Sequence, residues 1–168
     1  MSYTDHFRLA DDYVAHLDVV IGTISDPFIK SRYSGFLAVS AVTVYELAIK
    51  NVFIEFASQK HKILGSFTSG YFQRMNGRIR VQFVRDEYVK KFGEKYVKRI
   101  RKGLDKCEKD VLRRDAESVT SCYENIITWR NDFAHEGRIP ATATYEEVRK
   151  AYTFGKQVIH CLATAMHR

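Results

Sequence analysis

Proline is nearly missing from this chain: only Pro27 and Pro140 stand among 168 residues. Long helices can therefore run with few breaks. Cysteine is scarce too. Cys107, Cys122 and Cys161 are odd in number, far apart and contain no CxxC pair. That excludes a disulfide framework and a thiolate zinc site, and fits small buried thiols in a reducing compartment. There is no Gly-rich phosphate loop, no internal repeat and no low-complexity tract. Lys30, Arg32, Glu46, Lys50 and Glu55 interrupt the greasiest stretch, so no membrane span is expected. The opening residues, Met1 to Arg8, lack the form of a signal peptide. The expectation is one cytoplasmic domain over residues 1–168, without a membrane partner.

Apolar side chains and positive charge are what the chain does have. A hydrophobic content of 45% excludes disorder and supports a real core. The net charge of +7 and a pI near 9.3 favour a polyanionic partner, while saying nothing about fold.

Helical spacing dominates the pattern. Leu9, Tyr13, Leu17, Val20 and Ile21 predict a first helix over about 5–24. Asp26 can cap a second, with Pro27 in its first turn, running to about Lys60. Its stripe is Leu37, Ala41, Val44, Ala48 and Val52, widened by Phe53 and Phe56. The small residues Gly35, Ala38, Ser40 and Ala41 would let another helix approach closely. A short helix is expected over 62–77, then an extended connector, Arg78 to Phe83. A basic helix is expected over 85–102, with Tyr88, Phe92, Tyr96 and Ile100 as its core side and Gly103 as its bend or stop. The next helix starts near Asp115 or Ser118. Val119, Cys122, Ile126, Trp129 and Phe133 form its stripe, and Gly137 and Pro140 end it. Thr144 and Glu147 form a capping-box pattern before a last helix over about 145–166, with Val148, Tyr152, Gly155, Val158 or Ile159, and Leu162 inside. The sum is an all-α bundle of five or six helices.

The chemistry concentrates in Trp129-Arg130-Asn131-Asp132-Phe133-Ala134-His135-Glu136-Gly137. Arg130 keeps its charge at every ordinary pH and can hold an anion. His135 titrates near neutrality and can carry a proton either way. Together they suit a phosphodiester. The bare spacing is weak, since composition alone produces it in roughly every second chain of this kind. Asn131 and His135 are four apart and share a face away from the apolar stripe, and Arg130 sits about 60° from the stripe's centre. A site on the outer face of one helix is shallow. A second copy about a two-fold axis is the simplest way to make it a cleft, so a homodimer is expected. Asp132 and Glu136 are also four apart, but no third ligand accompanies them, and no metal or cofactor is expected. Lys95, Lys98, Arg99, Arg101 and Lys102 are candidates to follow an RNA backbone.

These residues resemble the HEPN superfamily, small helical bundles with an Arg-x4–6-His signature near the end of a late helix and a polar residue after the arginine. Here that reads Arg130-Asn131-Asp132-Phe133-Ala134-His135. Ser40 to Lys50 looks like the Glu-bearing second helix of the stand-alone bacterial ribonuclease-like group, with Glu46 as the acidic residue. The resemblance implies a metal-independent endoribonuclease acting as a dimer, often a toxin or an anti-phage effector. In that reading Arg130 and His135 are catalytic. Asn131 supports them by orienting substrate or the partner motif, and Glu46 by orienting Arg130 or His135. The products would be a 2′,3′-cyclic phosphate and a 5′-hydroxyl. One subclass is controlled by a nucleotidyltransferase antitoxin that modifies a tyrosine two residues after the histidine. Gly137 stands there, so this chain departs from that pattern. The alternatives are a non-catalytic RNA-binding or assembly module, and a partner of a separate nucleotidyltransferase or defence-system protein.

Overall fold

A computed structural model describes residues 2–73 and 75–167. Among them the chain is helical, with seven α-helices and no strand. These are α1 (Tyr3–Thr23), α2 (Pro27–Lys60), α3 (Lys62–Phe72), a single turn α4 (Val81–Phe83), α5 (Glu94–Asp115), α6 (Val119–Glu136) and α7 (Tyr145–His167).

The centre of the bundle is α2. The Asp26 carboxylate accepts from the backbone N–H of Phe28 at 2.8 Å, and Pro27 opens the helix, as the sequence led one to expect. With 34 residues it spans about 51 Å. Helices α1, α3, α6 and α7 all pack on it. An 18-residue window of α2 is apolar enough, by length and composition, to cross a membrane, contrary to the sequence expectation. Half of that window is buried in the bundle, where Leu37, Ala38, Ala41, Val42, Tyr45, Ala48, Ile49, Val52 and Phe53 form the middle of the core. Burying a side chain of the Leu or Phe class stabilises by about 1.5–3 kcal/mol, so this row contributes strongly to the core.

Several expectations need correcting. In α1 the buried residues are Phe7, Ala10, Val14, Leu17 and Ile21, whereas Leu9 and Tyr13 face solvent. The seam runs in steps of three and four from Phe7, which the larger Leu9 and Tyr13 disguised. Helix α3 ends at Phe72, short of Asn76-Gly77. The basic helix expected over 85–102 is broken. Val84–Tyr88 winds as a π-helical turn, Val89–Phe92 as a 3-10 turn, and Gly93 separates them from α5 at φ 122°, a left-handed geometry that favours glycine. Tyr88 and Tyr96 still reach the core, against Phe53 and Phe56 respectively, from two elements rather than one. Gly103 does not stop α5, which continues to Asp115 and ends at Ala116 in the left-handed conformation.

Three stacked tyrosines join the central helices. Tyr45 lies against Tyr123 at 5.1 Å and Tyr152 at 6.0 Å between ring centres. The Tyr45 hydroxyl donates to the Tyr152 carbonyl at 2.8 Å, and Gly155 leaves room for it. Tyr123 donates to the Ile79 carbonyl at 2.6 Å and so fastens the 75–80 connector to α6. Burial pushes the Tyr45 and Tyr123 phenols well above their ordinary range, so both remain donors.

Candidate functional site at the end of α6

Helix α6 is capped at both ends. The Ser118 hydroxyl accepts from the Ser121 N–H at 3.1 Å. Gly137 takes φ 69°, the C-terminal stop anticipated from the sequence, and returns its N–H to the Phe133 carbonyl at 2.9 Å. Two contacts then clamp this end onto α2. Arg32 Nη1 donates to the Gly137 carbonyl at 2.6 Å. The Phe133 ring lies directly on Gly35, where an added methyl group would sit 2.1 Å from a ring carbon, and Phe36 meets it edge-on at 5.4 Å. The close approach foreseen from the small residues of α2 is therefore real at Gly35.

On this clamped end Arg130 and Asn131 are half-buried and His135 is exposed in the last turn. Arg130 Nη1 donates to Asn131 Oδ1 at 3.0 Å. Among the described residues no carboxylate lies within ion-pairing distance of Arg130, so its remaining N–H groups are available to an anion. No hydrogen bond among the described residues joins Arg130 to His135. They are five positions apart, about 140° around the helix, so within one chain the two side chains flank the site instead of touching.

Glu46 reaches the same place by a route the sequence did not suggest. Its Oε1 accepts the Gly77 backbone N–H at 2.6 Å. Gly77 has φ 68°, and a methyl group there would lie 3.7 Å from Arg130 Nη1 and 3.9 Å from Glu46 Oε1. The carboxylate thus holds the connector, and the connector forms a wall beside the guanidinium. Glu124, one turn and a half earlier on α6, accepts from the Val81 N–H at 2.9 Å and pairs with Arg80. Arg80 also donates to Thr128 at 3.2 Å. Gly77, Arg32 and Glu124 were missed as site-forming residues. Asn76-Gly77 was legible as a turn, but nothing local says that the turn faces Arg130.

Asp132 is half-buried and Glu136 exposed, and Glu136 pairs with Arg138 at 3.4 Å. No group of three or more His, Cys, Asp or Glu side chains able to hold an ion occurs among the described residues.

The five basic residues proposed for RNA divide by face. All are exposed on α5. Arg99 and Lys102 line a groove between α5 and α7. Lys95 and Arg99 both lie over the Tyr96 ring, at 4.8 and 5.5 Å from its centre. Arg101 lies toward Asp86, whose carboxyl is held below its usual range first by the Arg85 guanidinium it hydrogen-bonds and also by Arg101 and Lys90. Lys98 meets none of these groups.

Compared with known protein families, residues 5–167 match the family described as RiboL-PSP-HEPN. No curated protein and no solved structure matches the chain. The match supports a nuclease or RNA-related role at the level of the family.

Proposed function

Because the chain belongs to the RiboL-PSP-HEPN family over residues 5–167, we propose that it is a metal-independent endoribonuclease whose active site is completed by a second copy. The observation that carries this reading is the half-buried Arg130, with no carboxylate partner among the described residues, on the same helix end as the exposed His135. A half-buried arginine without a carboxylate partner is suited to a phosphate. RNA supplies its own nucleophile, so the enzyme has only to move protons and offset charge on phosphorus.

One His135 accepts the proton of the 2′-hydroxyl as its oxygen attacks phosphorus. The His135 of the second copy donates a proton to the departing 5′-oxygen. Such proton transfer is worth about 10²–10⁴-fold in rate. Arg130 holds the non-bridging oxygens as their charge grows. Asn131 fixes one Arg130 N–H, and Glu46 supports the wall at Gly77. The products are a 2′,3′-cyclic phosphate and a 5′-hydroxyl.

The case for a second copy rests on α2. Ile29, Phe36 and Leu47 are 42%, 49% and 41% exposed, and with Ser40 and Thr43 they fall on one helix face. Among the described residues that stripe stays partly open to solvent, and Phe36 touches Phe133 beside the motif. A two-fold axis along it would bring two Arg130/His135 pairs together. A cytoplasmic toxin or anti-phage effector, restrained by a partner protein, is the biological role this chemistry fits.

The test is end chemistry. Purified protein incubated with RNA and EDTA should release 5′-hydroxyl ends and cyclic phosphates. Arg130→Ala and His135→Ala should each lose at least about 100-fold in rate while keeping the wild-type helical circular dichroism. Full activity in both variants would refute Arg130 and His135 as the catalytic pair, and RNA binding with no new ends would leave a non-catalytic RNA-binding module.

A further inference from the structure

A groove between α5 and α7, about 740 Å³ in volume, lies away from the motif, and no motif residue lines it. That is room for a ligand of more than one nucleotide unit. Its two walls differ in chemistry. Arg99, Lys102, Lys106 and Arg114 follow one another along α5 in steps of three, four and eight, which places them on a single face about 22 Å long. Asp110 is the one carboxylate among the lining residues. Arg114 is paired with Asp115 at 2.8 Å, whereas Lys102 and Lys106 have no ion-pair partner among the described residues. The α7 wall carries neutral hydrogen-bonding groups, Gln157, His160 and Thr164. Burial, and then the nearby Lys156 ammonium, lower the His160 imidazole's affinity for a proton, so it is neutral at ordinary pH. It also meets the Tyr3 hydroxyl at 3.1 Å. Between the walls, Gly103, Cys107, Val111, Cys161 and Ala165 give a weakly polar floor.

We propose that this groove is a second RNA site, which holds a single strand away from the scissile phosphate, with the phosphates along α5 and the bases toward α7. The assignment of RNA as the ligand rests on the ribonuclease reading. A row of cations along one wall suits a string of phosphates better than a single anion, since the charges are spread over several turns. The opposite wall offers neutral donors and acceptors, which are what base edges need. An acidic protein would match the cations but leave the neutral wall and the recessed floor unused.

The test uses a fluorescent single strand of about 12 nucleotides, made with 2′-O-methyl riboses so that it cannot be cut through its own 2′-oxygen. Lys102→Glu/Lys106→Glu should weaken binding at least tenfold and reduce the slope of log K against log salt by roughly 1.4, or about 0.7 for each lost cation. Lys60→Glu/Lys62→Glu, which changes net charge equally elsewhere, should change binding far less. Equal losses in both pairs would mean general attraction only and overturn the site. A second readout locates the strand: saturating RNA should slow alkylation of the half-buried Cys107 on the groove floor. Unchanged alkylation would place the strand elsewhere. Equal protection by a nucleoside monophosphate would assign the groove to a free nucleotide and overturn the strand. Should the wild type cut no RNA while the groove variants still lose binding, the groove stands and the ribonuclease reading falls.

Discussion

At Gly35 a single hydrogen atom decides whether two helices meet. The Phe133 ring occupies the space that any side chain would need, and Phe133 sits between Arg130 and His135 in sequence. Gly35→Ala should destabilise by about 1–3 kcal/mol, the usual cost of overpacking, and lower RNA cleavage by displacing the end of α6. Chemical denaturation and a cleavage assay on the same preparation check both. Combining it with Phe133→Leu should recover part of the stability.

His160 gives a pH prediction at the same scale. Its folded-state pKa lies below the ordinary 6.5 because burial, then Lys156, disfavours the cation. Below 6.5 the unfolded chain therefore binds a proton that the folded chain resists, and stability falls as the pH drops. The contribution is fully present above 6.5 and declines until the pH reaches the folded-state value. Melting temperature followed from pH 7.5 down to 5 should fall less steeply in His160→Phe than in wild type. An identical profile would mean that another group is responsible.

At the scale of elements, α5 shows what glycine does inside a helix that tolerates it. The space where a Gly103 side chain would begin is open to at least 4 Å, and its backbone is ordinary helix. Gly103→Ala should therefore stabilise by about 0.5–1 kcal/mol, the opposite sign to Gly35→Ala, as thermal melts of the two variants would reveal. Gly103 and Gly93 are the same residue type ten positions apart, and the sequence reading placed the break at the wrong one. Gly93 ends the irregular turns because the backbone there takes φ 122°. Propensity alone cannot distinguish a glycine that is merely present from one that the chain path requires. The caps were more legible. Asp26, Ser118 and Gly137 act through groups within four residues, so local sequence suffices to find them. Thr144 also accepts the Glu147 N–H at 3.2 Å, but the Glu147 carboxylate turns to Lys150 and does not complete the box.

For the whole molecule the question is assembly. The exposed stripe of α2 passes beside the motif, and a two-fold partner would cover both. Phe36→Asp/Leu47→Asp should convert a dimer into monomers in sedimentation at micromolar concentration and abolish cleavage, and Leu47→Asp alone, which leaves the Phe36–Phe133 contact in place, should weaken the dimer with the helical spectrum unchanged. A wild-type protein that sediments as a monomer and still cuts RNA would remove the shared-site mechanism and leave each chain to act alone.

The positions of α1, α2, α6 and α7, most caps and the Arg130–His135 pair follow from residues near one another in the chain, so the sequence determined them by itself. So did the all-α class, since apolar steps of three and four repeat through nearly every segment. Tertiary structure decided what Glu46 holds. Its partner is a backbone N–H 31 positions away, and no local pattern encodes that distance. It also separated Arg99 and Lys102 from Lys98 and Arg101, because only the packing of α7 against α5 determines which side of a basic helix becomes a groove. The physical reason is the same in both cases. Local spacing orients a side chain about its own helix, whereas its neighbours across a gap are chosen by how whole helices bury their apolar faces.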